Sequence, residues 1–127
     1  MPRPSLVSSA DWKLGALVVG DEYSDLPALI VERALDECIA CAEGIGAGDP
    51  AASETLMRCV VLSGFSMAIA GSSAPASGGE HLLSHSWDMS AYPNHEPPPA
   101  LHGFQVALGT LLSARLYELL WQQDPDG

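Results

Sequence analysis

The stretch "ASGGEHLLSHSWDM", residues 76–89, carries His81 and His85 four positions apart, and seventeen positions later His102 stands in "LHGFQV". Imidazole is a common metal ligand and the side chain that takes and gives protons near neutral pH. On a helix, positions four apart differ by about 40° in azimuth and one turn in height, so His81 and His85 project to one side. Such a pair supplies two metal ligands, or one ligand and one proton relay. The spacing alone does not separate a metal site from histidines scattered on a helix, but the surroundings favour chemistry. A loop of small residues, "SSAPASGG", leads straight into the first two histidines and leaves helix N-terminal amides open to an anion. His102 opens the next helix behind a proline-rich loop, and Gly103 beside it lets backbone or substrate come close.

Helices must position these groups. The chain has 127 residues, 47% of them hydrophobic, enough for one domain with a core of its own. A helix tail is read in "SSADWKLGALV", with Ser8 or Ser9 as a cap. A long helix follows in "DLPALIVERALDECIACAEGI", capped by Ser24 or Asp25, with Pro27 in its first turn and the glycines of "GIGAGDP" as its stop. Asp49 caps the next helix and Pro50 opens it; that helix runs to "MAIAG". A short helix spans "EHLLSHSWDMSAY", "PNHEPPPA" is a non-helical proline loop, and the last helix runs from His102 to "LLWQQ". Leu108, Leu111, Leu112, Leu116, Leu119 and Leu120 give that last helix a broad apolar stripe. No stretch alternates with period two for long; "ALVVGDEY" is the best strand candidate. The fold class is therefore all-α, a helical bundle over 1–127.

Charge and cysteines narrow the partners. Five basic residues against 16 acidic ones give a formal charge of −11, a field that repels nucleic acid and anionic membrane surfaces. The N-terminus shows no secretory signal and the longest apolar runs fall short of the ~20 residues that span a bilayer. A soluble, cytoplasmic protein is expected. Cys38 and Cys41 form "CIAC" mid-helix, without the helix N-terminus that activates a redox pair or a second pair to complete a zinc cage, so both are read as small core-facing residues. Cys59 reads the same way. Trp12, Trp87 and Trp121 are expected in the core or at an interface. Glu80 is read as a solvated neighbour of His81 with a supporting role as the alternative, His95 as loop surface, and Asp21, Glu22 and Asp25 as solvated helix-start charge.

"SGFSMAIAGSSAPASGGEHLLSHSWDM" followed by "LHGFQVALGTLL", with "SSADWKLGALVVGDEY" upstream, resembles the glycerol-1-phosphate dehydrogenase family, related to the iron-containing alcohol dehydrogenases and to dehydroquinate synthase. The resemblance implies part of a C-terminal helical domain that, in the family, faces a nucleotide-binding α/β domain across the active-site cleft. It implies zinc or iron held by an acidic residue and two histidines. His81 and His102 match the two histidine ligands, and His85 matches a catalytic histidine beside the substrate that assists proton transfer. The metal would polarise an alcohol or carbonyl oxygen while hydride passes to or from NAD(P). The family's acidic ligand lies just before the "ADW" motif, a position at or before Met1, and Asp11 of "ADW" is not its replacement. The glycine-rich nucleotide loop is missing from these 127 residues. Phe104 stands where many relatives carry glutamate, and Ala74 where some carry arginine, which puts recognition of a substrate phosphate in question. Two functions follow as expectations: the metal-binding piece of such an NAD(P)-dependent oxidoreductase, inactive alone and with zinc or iron weakly held or absent, or a non-enzymatic helical interaction module. Both expect a homo-oligomer or a separate nucleotide-binding domain to cover apolar surface.

Overall fold

The computed structural model describes residues 7–94, 97, 98 and 100–123, and His95 lies outside them. Among the described residues six α-helices run in order: α1 (Val7–Val18), α2 (Asp25–Ala40), α3 (Ala42–Ala47), α4 (Pro50–Ala70), α5 (Gly79–Ala91) and α6 (His102–Trp121), with one 3-10 turn at Tyr92–Asn94. The all-α expectation holds, and there is no strand among the described residues. "ALVVGDEY" is instead the end of α1 and the loop after it. Val19 N–H and Asp21 N–H both donate to the Gly15 carbonyl, and Gly20 turns the chain at φ 79°. The indole Nε1 of Trp12 then pins this loop by donating to the Glu22 carbonyl at 2.6 Å.

The chain forms two compact units, Met1–Ala76 and Ser77–Gly127. In the first, α2 packs on α4 along a seam of small residues. Ala52, Cys59 and Ser66 recur every seven positions of α4, two helical turns apart, and all three are buried. Facing residues Pro27, Ala28 and Ala34 of α2 are buried too. Small side chains let the two backbones come close enough for side-chain-to-carbonyl bonds across the seam: Ser66 Oγ to Pro27 O at 2.8 Å and Cys59 Sγ to Ala34 O at 2.9 Å. Burial, followed by the hydrogen bond with Cys59, pushes the Cys38 thiol up to about 12. That suppresses thiolate and agrees with the packing reading of this cysteine.

Three local expectations need correction. Ser8 and Ser9 do not cap α1 but lie inside it, buried, with Ser8 Oγ donating to the Pro75 carbonyl at 3.1 Å. The long second helix does not run to "GIGAGDP" in one piece. It breaks at Cys41, whose N–H takes the Cys38 carbonyl in a tighter 3-10 closure, and six residues of α3 follow. The break lets Gly44 lie against α4, where an added Cβ would sit 2.9 Å from Ala52 Cβ. Asp49 does cap α4, accepting from Ala52 N–H at 2.8 Å with Pro50 at the helix start. The proline loop begins with a short 3-10 turn where no helix was expected.

At 21 residues and mean hydropathy 1.2, α4 is long and apolar enough to cross a membrane by length and composition, which the sequence reading did not foresee. Core helices of globular proteins pass the same test. This helix carries Glu54 and Arg58, and Arg58 pairs with Glu37 of α2 on the surface.

In the second unit α5 packs on α6. The α6 face turned to α5 is Gln105, Gly109 and Ser113, one turn apart and buried, not the leucine stripe. Leu108, Leu111, Leu112, Leu116, Leu119 and Leu120 are all exposed, and Trp121 is 89% exposed, so it is no core residue of this chain. The reason is closeness. A Cβ on Gly109 would lie 2.6 Å from the Glu80 carbonyl oxygen and 2.9 Å from its Cα, so the helices touch backbone to backbone there.

Candidate metal site

Both α5 and α6 start beside the same spot. Gly78 precedes α5 and Leu101 precedes α6 in extended conformation, and neither start is capped by a side chain of its own N-cap residue. His81 projects from the first turn of α5 and His102 is the first residue of α6, so each ring sits at a helix entrance. The His81 and His102 ring centres are 5.3 Å apart, and those of His85 and His102 are 6.2 Å apart. The sequence-expected trio is therefore brought together, with His102 central to it. His81 is half-buried, while His85 and His102 are exposed and open to a ligand.

The rings are held from behind. Glu80, only 5% exposed, accepts from His81 Nδ1 at 2.8 Å and from Gly78 N–H at 2.9 Å through the same oxygen, Oε1. Its other oxygen, Oε2, is buried with no hydrogen-bond partner among the described residues. Glu80 is thus a buried support of His81 rather than a solvated neighbour, and its backbone lies against Gly109 of α6. This also corrects the expected anion site at the start of α5: the chain's own carboxylate takes the Gly78 amide and places negative charge there. Gly103 faces open space and needs no glycine for packing; the glycine that close approach requires is Gly109.

His102 Nδ1 lies 3.0 Å from Ser84 Oγ. Ser84, fully buried, donates to Gln105 Oε1 at 2.6 Å. Gln105 Nε2 donates to Asp88 Oδ1 at 2.8 Å and to the Ala100 carbonyl at 3.0 Å. Ser84, Asp88 and Gln105 escaped the sequence reading. Their signal was the spacing Glu80, Ser84, Asp88, which places three polar residues on one α5 face, one turn apart.

The donor set fits a metal in part. Two imidazoles sharing one tetrahedral zinc at about 2.0–2.1 Å per bond have ring centres roughly 5 Å apart, close to the spacing of His81 and His102. With Nδ1 engaged on both rings, Nε2 is the nitrogen left for a ligand bond. Among the described residues no group of three or more His, Cys, Asp or Glu side chains gathers closely enough to hold a metal ion.

The glycerol-1-phosphate dehydrogenase [NAD(P)+] of Staphylothermus marinus is 39% identical over 112 residues, 88% of this chain and 30% of that protein. Those of Hyperthermus butylicus and Pyrococcus furiosus are 38% and 34% identical over 92% and 94% of this chain, and 32% and 33% of their own lengths. This chain is homologous to glycerol-1-phosphate dehydrogenases over about a third of their length. Matches of that extent take in both histidine-bearing helices. The described fold is consistent with part of the helical domain of a glycerol-1-phosphate dehydrogenase. No family model matches the chain.

Proposed function

We propose that the chain supplies the metal-binding helical part of a glycerol-1-phosphate dehydrogenase-like, NAD(P)-dependent oxidoreductase. The observation that carries this reading is the pairing of His81 and His102, ring centres 5.3 Å apart, each with Nδ1 held from behind and Nε2 left for a ligand. A bound zinc or iron would polarise the substrate oxygen for hydride exchange with the nicotinamide. His81 and His102 would hold that ion through the ring nitrogens left free, Nε2. Glu80 stands behind His81 and would orient its ring for a metal through the contact of Oε1 with Nδ1. His85, exposed beside His102, takes or returns the substrate proton. In this reading an acidic ligand would come from just ahead of the "ADW" motif and the nicotinamide site from a nucleotide-binding part, and the 127 residues by themselves are proposed to be inactive.

Zinc titration of the purified chain tests this, with His81→Ala and His102→Ala beside the wild type. Two ligands give weak binding that either substitution abolishes. Binding that survives both would place the metal elsewhere, and one ion retained through dialysis against a chelator would reveal a further ligand.

The exposed leucines of α6 favour a second role, self-association or docking of the nucleotide-binding part. Light scattering should show a species larger than the monomer. Replacing Leu111 and Leu116 by glutamate should shift it toward monomer, and a wild-type monomer at high concentration would remove this second role.

A further inference from the structure

We infer that Ser84 and Gln105 form a tautomer lock that keeps the proton of neutral His102 on Nδ1, so that Nε2 always presents a lone pair. The inference rests on the metal reading for its purpose but not for its logic, which comes from donors and acceptors alone. The Ala100 carbonyl can only accept, so the Gln105 atom 3.0 Å from it must be the amide nitrogen. The same nitrogen reaches Asp88 Oδ1 at 2.8 Å, which fixes the amide orientation a second time. Gln105 therefore turns its oxygen toward Ser84. That oxygen can only accept, and the one hydroxyl proton of Ser84 goes to it at 2.6 Å. Ser84 has no proton left for His102. At 3.0 Å from Ser84 Oγ, Nδ1 must be the donor. Each step has a single solution, because the carbonyl at one end cannot be turned into a donor.

The lock has the qualities of a built device. Ser84 is fully buried and Gln105 is 3% exposed, so water does not compete for these groups. His102 itself is exposed, so only its inner nitrogen is controlled and the outer one faces the ligand side. His81 reaches the same state by a shorter route, through the acceptor Glu80 Oε1. Ser84, Gln105 and Asp88 are thus positioning residues, acting on a ligand through His102 and touching none themselves.

The test is the tautomer of His102, read from long-range proton–nitrogen spectra of the intact chain with 15N-labelled histidine. The pH should lie about two units above the ordinary imidazole pKa of ~6.5, so that the neutral ring is observed. The expected wild-type result is a protonated Nδ1 and a bare Nε2 at His102. A protonated Nε2 in the wild type overturns the inference without any variant. In Gln105→Ala the freed Ser84 hydroxyl turns to donate to the ring, and the proton moves to Nε2. Ser84→Thr keeps the hydroxyl and retains the wild-type tautomer, whereas Ser84→Ala loses the single form. If Gln105→Ala and Ser84→Ala remain folded by circular dichroism and keep the wild-type tautomer, the lock is overturned.

Zinc affinity, measured in parallel, should fall about 10–100-fold in Gln105→Ala and Ser84→Ala and stay near wild type in Ser84→Thr. A wild-type Nδ1–H tautomer with zinc binding indifferent to His102→Ala upholds the lock and overturns the metal reading. Zinc binding that needs His102, together with a wild-type Nε2–H tautomer, does the reverse.

Discussion

Each unit is built around one fully buried serine, and the two serines do different things. Ser66, in the seam between α2 and α4, donates to the Pro27 carbonyl, and the polar chain ends there. Ser84, in the seam between α5 and α6, lies between Gln105 and His102, and its chain ends on an exposed imidazole. The Pro27 carbonyl does not titrate and its bond to Ser66 lies within the seam, so the first serine holds two helices together. The second passes the constraint of a buried network to a group that can bind a metal or a proton. Similar side chains and similar burial therefore give architecture in one unit and a candidate site in the other. What differs is the residue at the end of the chain of hydrogen bonds.

The sharpest way to break the contrast is at Gly109. Gly109→Ala drives a Cβ into the Glu80 backbone, which cannot swing aside as a side chain can. We expect a loss of about 1–3 kcal/mol in urea unfolding together with weaker zinc binding. Unchanged zinc binding would mean that the contact between α5 and α6 does not position His81.

The serines should differ in readout more than in stability. Ser66→Ala leaves the Pro27 carbonyl without its buried partner and should cost about 1 kcal/mol with zinc binding unchanged. Ser84→Ala should cost a similar amount and also alter zinc binding. If Ser66→Ala changes zinc affinity as much as Ser84→Ala does, the division of roles fails.

Cys38 offers a pH test confined to the first unit. Its thiol is raised to about 12 in the fold, so the folded chain holds this proton more tightly than the unfolded chain, where an ordinary thiol titrates near ~8.5. The contribution is fully present below the unfolded value and is lost as pH rises toward the folded one. Cys38→Ser should flatten the fall in stability between those limits. Alkylation at neutral pH should label Cys38 far more slowly in the native chain than in urea, and equal rates would contradict the raised value. The smallest effect belongs to Arg58→Ala, which breaks the exposed pair with Glu37 and should cost no more than about 1 kcal/mol, declining with salt.

Much of the helical outline was written locally. Asp49 followed by Pro50 starts α4 because a carboxylate can accept an end amide and proline lacks the amide that a helix start leaves free. Spacing along the chain put His81 and His85 on one side of α5, and the order of motifs brought in His102. These features depend on residues within a turn or two of each other, and sequence records such neighbours directly. Hydrophobic periodicity marked the leucines of α6 as apolar surface in need of cover, and they do stand exposed. It did not show that Gln105, Gly109 and Ser113 face α5, where bulky side chains cannot enter a seam in which a Cβ would already collide. Glu80 looked like a solvated charge, whereas it is buried with its backbone against Gly109 of another helix. The hydrogen bonds of Ser84 join residues 18 and 21 positions away, across the contact between two helices. The sequence by itself determined which segments are helical and which residues could do chemistry. Only the tertiary structure decided which face of α6 is buried and which nitrogen of His102 is left free, because both depend on atoms that meet only when the helices pack.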